Sequence, residues 1–134
     1  MRVIVCGGRT FGEVPNTTPP LEGDALRKAA QQAADEKVHL YAIMETFRPT
    51  AIAHGGATGA DRLAGRWAEM NDVPCRVYPA DWKANAKAAG PIRNAEMLAD
   101  FKPDTVIAFP GGRGTADMVR KAKAAGVRVI EVTP

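Results

Sequence analysis

Three short glycine-rich stretches hold the residues of this chain whose types and spacing are best suited to chemistry. The most compact is Pro110-Gly111-Gly112-Arg113-Gly114-Thr115, which follows an apolar run and opens a helical pattern. Glycines let backbone N–H groups approach an anion closely, a helix N-terminus adds partial positive charge, and Thr115 adds a hydroxyl donor. The competing reading is a strand-to-helix turn whose glycines only relax the backbone. No Gly-Lys-Ser/Thr follows, so this is not a Walker A loop, and the first strand does not end in GxGxxG.

The second stretch, His54-Gly55-Gly56-Ala57-Thr58-Gly59-Ala60-Asp61, repeats the logic. Asp61 is either a helix-capping acid or a partner for a ribose hydroxyl. Thr58 with Asp61 forms an acidic variant of a capping box. His54 closes a strand beside these glycines and reads as structural. The third stretch is Gly7-Gly8-Arg9, whose arginine is placed to meet phosphate or carboxylate. A fourth segment adds Asp81-Trp82-Lys83, then Lys87, then Gly90-Pro91-Ile92-Arg93-Asn94. Trp82 either stacks on a base or joins the core. Arg93 and Asn94 open a helix and point to a ligand, against the plainer reading of an exposed first turn. Taken together, the loops favour an anion-binding cleft over turn geometry alone. The pattern assigns no residue a catalytic role and implies neither a metal nor an organic cofactor.

Elements must bring these loops together. Residues 2–6 read as a buried strand, 9–23 as a long loop, and 24–47 as a helix capped by Asp24 and stopped by Arg48-Pro49. Its apolar stripe is Leu26, Ala29, Ala30, Ala33 and Ala34, continued by Val38, Tyr41 and Met44. Strands follow at 50–54, 73–78, 104–109 and 127–132. Helices follow at 60–71, from Pro91 to Phe101, and at 115–125, the last stopped by Gly126. Alternating strands and helices predict an α/β fold: a Rossmann-like three-layer sandwich with a parallel sheet of about five strands in the order 3-2-1-4-5. The glycine loops follow strands one, two and four. They would therefore share the C-terminal edge of the sheet, where ligands of open α/β sheets bind.

Composition narrows the function classes. The 134 residues suffice for one domain, spanning 1–134, with a core that needs no disulfide or metal staple. Lys and Arg number 18 against 15 Asp and Glu, a net charge of +3, with no dense basic block. That balance permits an anionic small molecule and disfavours nucleic acid. No apolar run approaches a membrane span, and the start does not read as a signal peptide, so a cytoplasmic location is expected. Cys6 and Cys75 are expected to be buried, reduced thiols. Ala- and Met-rich helices and open sheet edges point to a homodimer or higher oligomer, through the helix at 60–71 or the one at 24–47.

The first-strand Gly-Gly-Arg with Phe11, HGGATGAD at 54–61, ADW at 80–82, AGPIRN at 89–94 and FPGGRGTADM at 109–118 together resemble the YspA-like branch of the SLOG superfamily. That superfamily also contains the Lonely Guy cytokinin-activating proteins and the DNA-processing protein A family. The resemblance covers nearly the whole chain. It implies a pocket for a phosphorylated nucleotide or nucleotide derivative, ADP-ribose-like or cyclic species included, with the PGGxGT loop holding phosphate. It also implies a role as sensor, carrier or sequestering protein. Hydrolysis of an N-glycosidic or phosphate-ester bond is the alternative, and nucleic-acid binding a second one. The chain departs from the superfamily's phosphoribohydrolases at one place. Their pattern PGGxGTxxE requires a glutamate where this chain has Met118, while Asp117 is expected to point elsewhere because a helix turns about 100° per residue. Their catalytic arginine corresponds to Arg93.

Overall fold

The computed structural model describes all 134 residues, Met1–Pro134. Along the chain run β1 (Arg2–Cys6), α1 (Gly23–Phe47), β2 (Ala51–His54), α2 (Ala60–Met70), β3 (Cys75–Val77), the single turn α3 (Trp82–Asn85), α4 (Ala89–Phe101), β4 (Thr105–Ala108), α5 (Arg113–Ala124) and β5 (Arg128–Glu131). A 3-10 turn, Ala86–Ala88, joins α3 to α4. All five strands are parallel, in the order β3-β2-β1-β4-β5. Ile4 of the central strand lies opposite Ala53 on one side and Val106 on the other.

Strand alternation divides the core in two. Val3, Val5, Ile52 and Ile107 point to one face, where they meet Leu40 and Met44 of α1 and Leu63, Ala64 and Trp67 of α2. Ile4, Cys6, Ala53 and Val106 point to the other, against Met97 and Phe101 of α4 and Met118 and Ala122 of α5. With both faces covered, β1 and β4 are apolar at nearly every position. The edge strands are not covered in this way: β3 is exposed throughout. Cys75 is therefore exposed, contrary to its expected burial, while Cys6 is a buried thiol.

The first helix departs from its expected pattern. A helix of 25 residues is about 37 Å long, roughly twice the length of a five-residue strand. Its N-terminal part therefore overhangs the sheet. Only Ala33, Leu40 and Met44 are buried, while Leu26 and Val38 of the expected stripe are exposed. Asp24 does not cap the helix. The N-cap is Glu22, without a side-chain hydrogen bond, and Asp24 pairs with Arg27 within the first turn. The C-terminus ends as expected before Pro49, with Arg48 in the left-handed region at φ 42°. On α2 the outward residues are Arg62, Arg66, Glu69 and Met70. No helix is long and apolar enough to cross a membrane.

Candidate functional site

The winding of the sheet reverses between β1 and β4, and a cleft of about 520 Å³ opens at their C-terminal ends. That volume is within the usual range for small-molecule sites. Gly7 and Gly8 carry the chain out of β1 through a narrow gap. A Cβ on Gly7 would lie 2.6 Å from Cβ of Ala60 and 2.9 Å from that of Phe109, and the Gly8 N–H donates to Pro110 O at 2.9 Å. Gly111 is equally confined, since a Cβ there would meet Oγ1 of Thr115 and, at 2.7 Å, the Gly8 nitrogen. Gly112 and Gly114 have nothing within 4 Å of the Cβ position, and both line the cleft with Arg113 and Thr115.

The two principal loops use their backbone donors to different extents. At the α5 end, the N–H groups of Gly111, Gly112, Arg113, Gly114 and Thr115 have no acceptor in the chain; the first to find one is Ala116, on Gly112 O. The loop after β2 has committed most of its donors, leaving the N–H groups of Thr58, Asp61 and Arg62 without acceptors. Gly55 and Ala57 N–H both bond Oδ2 of Asp61, at 3.1 and 3.2 Å. Gly56 N–H bonds Nδ1 of His54. Gly59 N–H bonds Glu13, and Ala60 N–H bonds Gly8 O. Sequence reasoning gave both loops the same role. In 54–61 an aspartate on the following helix turns back and takes the Gly55 and Ala57 donors that an anion would otherwise use.

Asp61 is therefore not a helix cap, and the capping box with Thr58 does not form. The N-cap is Gly59 at φ 78°, and the Thr58 hydroxyl donates to Arg9 O. Glu13 supplies the missing cap from the long loop, 46 residues away, a partner that no local pattern could reveal. Asp61 is nearly fully buried and borders the cleft. Burial pushes its carboxyl up to about 6, even though the Ala57 and Gly55 N–H bonds and the charges of Arg93 and Arg9 pull the other way. Oδ1 has no protein donor. His54 is buried behind the loop, and burial together with Arg93 lowers its pKa.

Arg93 crosses the floor of the cleft. Nη1 donates to Gly55 O at 2.7 Å and Tyr78 O at 3.3 Å, while Nε donates to Oδ1 of Asn94 at 3.0 Å. Asn94 borders the cleft, but its amide is committed elsewhere: Nδ2 donates to Gly114 O and to Asp117. Both amide protons are used, so Asn94 joins Arg93 to the start of α5 rather than offering donors to a ligand. The expectation for Asp117 is also corrected. Its carboxylate borders the cleft, where it pairs with Lys121 at 2.7 Å and with Arg120 at 2.5 Å. Burial works against the charge, but the bonds from Lys121 and Asn94 prevail and hold the pKa below the ordinary carboxylate value. Met118 does not line the cleft and is fully buried against Met97 and Phe101 of α4.

Of the remaining expected residues, Arg9 and Trp82 border the cleft, with the Arg9 guanidinium 5.3 Å from the indole centroid. Trp82 is half-exposed and not a core residue. Asp81 caps α3 by accepting from Ala84 N–H and, like Lys83 and Pro110, lies outside the lining. Lys87 and Arg113 line the cleft instead, and neither pairs with a carboxylate. Gly56 and Thr58 border a smaller adjoining cavity, and Gly59 lets α2 approach the backbone of Gly8 and Arg9.

The parallel sheet, its order and a cleft at its switch point define a Rossmann-like α/β domain. The chain belongs to the YspA, cpYpsA-related SLOG family, whose model matches residues 38–84, from the second half of α1 into α3. Among its relatives is the Gene 61 protein of Mycobacterium phage D29, 43% identical over 86 residues, which cover 59% of this chain and 68% of the relative. No solved structure matches the chain significantly.

Proposed function

We propose that this domain binds a phosphorylated nucleoside derivative in the cleft between the ends of β1 and β4, as a sensor, carrier or sequestering protein. The observation that carries the reading is the row of five unpartnered N–H groups, from Gly111 to Thr115, at the N-terminus of α5. Such a row together with the helix dipole is suited to phosphate. Arg9, Lys87 and Arg113, all without carboxylate partners, line the same cleft. On the opposite wall Asp61 Oδ1 is an acceptor, suited to a sugar hydroxyl. Family membership supports the same class of ligand.

Hydrolysis is the second reading, and one observation favours it. A carboxyl with a pKa of about 6 on a cleft wall is in the range useful for general acid–base chemistry. Against it, the position that is glutamate in the phosphoribohydrolase pattern is an apolar core residue here.

The test is equilibrium binding of nucleoside mono- and diphosphates to the wild type and to Gly112→Val. A Cβ at position 112 meets no protein atom within 4 Å, and Gly112 lines the cleft. A folded variant that has lost binding supports the reading; one that binds as well as the wild type overturns it.

A further inference from the structure

The first helix carries a second stripe that the core does not use. Its buried residues, Ala33, Leu40 and Met44, occupy one side. About 120° round the helix from them runs a row spaced alternately by three and four residues, the interval that keeps a seam facing a second helix. The middle of the row is Gln31, Ala34, Val38 and Tyr41, of which Val38 is 67% exposed and only Tyr41 is half-buried. Asp24 and Arg27 precede it, and Glu45 and Arg48 follow it. The row therefore spans α1 from its first turn to its C-cap.

Each end of the row is an ion pair in the same order, acid before base: Asp24 with Arg27, and Glu45 with Arg48. Both pairs are exposed and add little to the stability of the isolated chain. Their order matters when two copies of the helix meet. In a parallel pair each charge would face its own like. In an antiparallel pair centred at the level of Glu36, Asp24 faces the partner's Arg48, Arg27 faces the partner's Glu45, and Ala34 faces the partner's Val38. A twofold axis repeats these relations, so every charge in the row meets its opposite and the apolar residues meet in the middle. Glu45 is already held in place, since the Trp67 indole N–H donates to its Oε1 at 3.1 Å.

We propose that α1 is a self-association surface whose occupant is a second copy of this chain, packed antiparallel along the row, with Arg27 against the partner's Glu45 and Asp24 against the partner's Arg48. The seam is one helix wide, which places it among small interfaces, so the dimer forms reversibly and its population depends on concentration. No residue of α1 lines the cleft, and the inference stands apart from the ligand reading.

Sedimentation velocity of the full chain from about 5 µM to about 500 µM reads the equilibrium. The wild type should pass from monomer to dimer across that range. Arg27→Glu and Glu45→Lys each set like charges opposite one another, and each should weaken self-association at least tenfold. An equimolar mixture of the two restores opposite charges at both ends and should dimerise as the wild type does. Circular dichroism checks that each variant is folded. If Glu45→Lys, which loses the Trp67 bond, does not fold, Asp24→Lys and Arg48→Glu form the same complementary set at exposed residues. A wild type that stays monomeric throughout, single variants that dimerise like the wild type, or a mixture as monomeric as its components overturns the proposal.

Discussion

The guanidinium of Arg93 lies directly against the backbone of Gly55, donating to its carbonyl at 2.7 Å. A Cβ at position 55 would fall on Nη1 and Cζ of that arginine. Gly55 does not have a positive φ, so alanine is acceptable to the backbone and its whole cost is the displacement of Arg93. Gly55→Ala should lose roughly 1.5–3 kcal/mol, the range for a hydrogen bond to a charged group. Arg93→Ala should lose a similar amount. The double variant should fall well short of the sum, by about 0.5–3 kcal/mol, because both changes remove one interaction. Urea denaturation of the four proteins gives the cycle; additive losses would show that the two residues are not coupled.

Lys83 and Lys87 provide a matched pair in one short segment. Only Lys87 borders the cleft. Lys87→Ala should weaken binding of a nucleoside diphosphate by about 1.5–3 kcal/mol and flatten its salt dependence. Lys83→Ala should leave both within twofold. Equal effects of the two substitutions would mean that long-range charge, rather than contact, governs affinity.

The strand order was legible because each glycine loop follows an apolar run and precedes a helical stripe, and few topologies accommodate that alternation. The cleft was legible for the same reason: Gly8, Arg9, Arg93 and Thr115 converge once the order is known. Hydrogen bonds between distant residues were not. Nothing local marks Glu13 as the cap of α2, or Asp61 as the acceptor of two N–H groups in the loop before it. Asn94 reads as a ligand donor until its three partners are seen. Lys83 and Lys87 are indistinguishable in composition, and only the turn of α3 and the 3-10 segment separates them.

Asp61 makes stability depend on pH in a direction opposite to that of a salt-bridged acid. Its carboxyl has a pKa of about 6 in the folded chain against an ordinary 3.8. Between those values the folded state holds more protons than the unfolded one, so stability falls as pH rises from about 4 to 6. The full difference is on the order of 3 kcal/mol. Asp61→Asn keeps an acceptor for Gly55 and Ala57 and removes the titration. Its stability should show a flatter profile across that window and exceed the wild type's at neutral pH. A variant with the wild-type slope would place the titrating group elsewhere.

Met118 decides how the chain handles a glycosidic bond. The side chain is fully buried in the cluster with Met97 and Phe101 and does not line the cleft. A glutamate there would be an uncompensated buried charge, costing about 3–5 kcal/mol. Met118→Glu should therefore lower the melting temperature sharply and release no base from AMP. The wild type should release none either: Asp117 is held ionised by Lys121 and Asn94 and cannot donate a proton near neutrality, which leaves Asp61 as the other carboxyl on the cleft wall. Chromatography of AMP and other nucleoside monophosphates after prolonged incubation checks both proteins. Base release by the wild type that disappears in Asp61→Asn would assign the general acid to Asp61 and place hydrolysis ahead of binding.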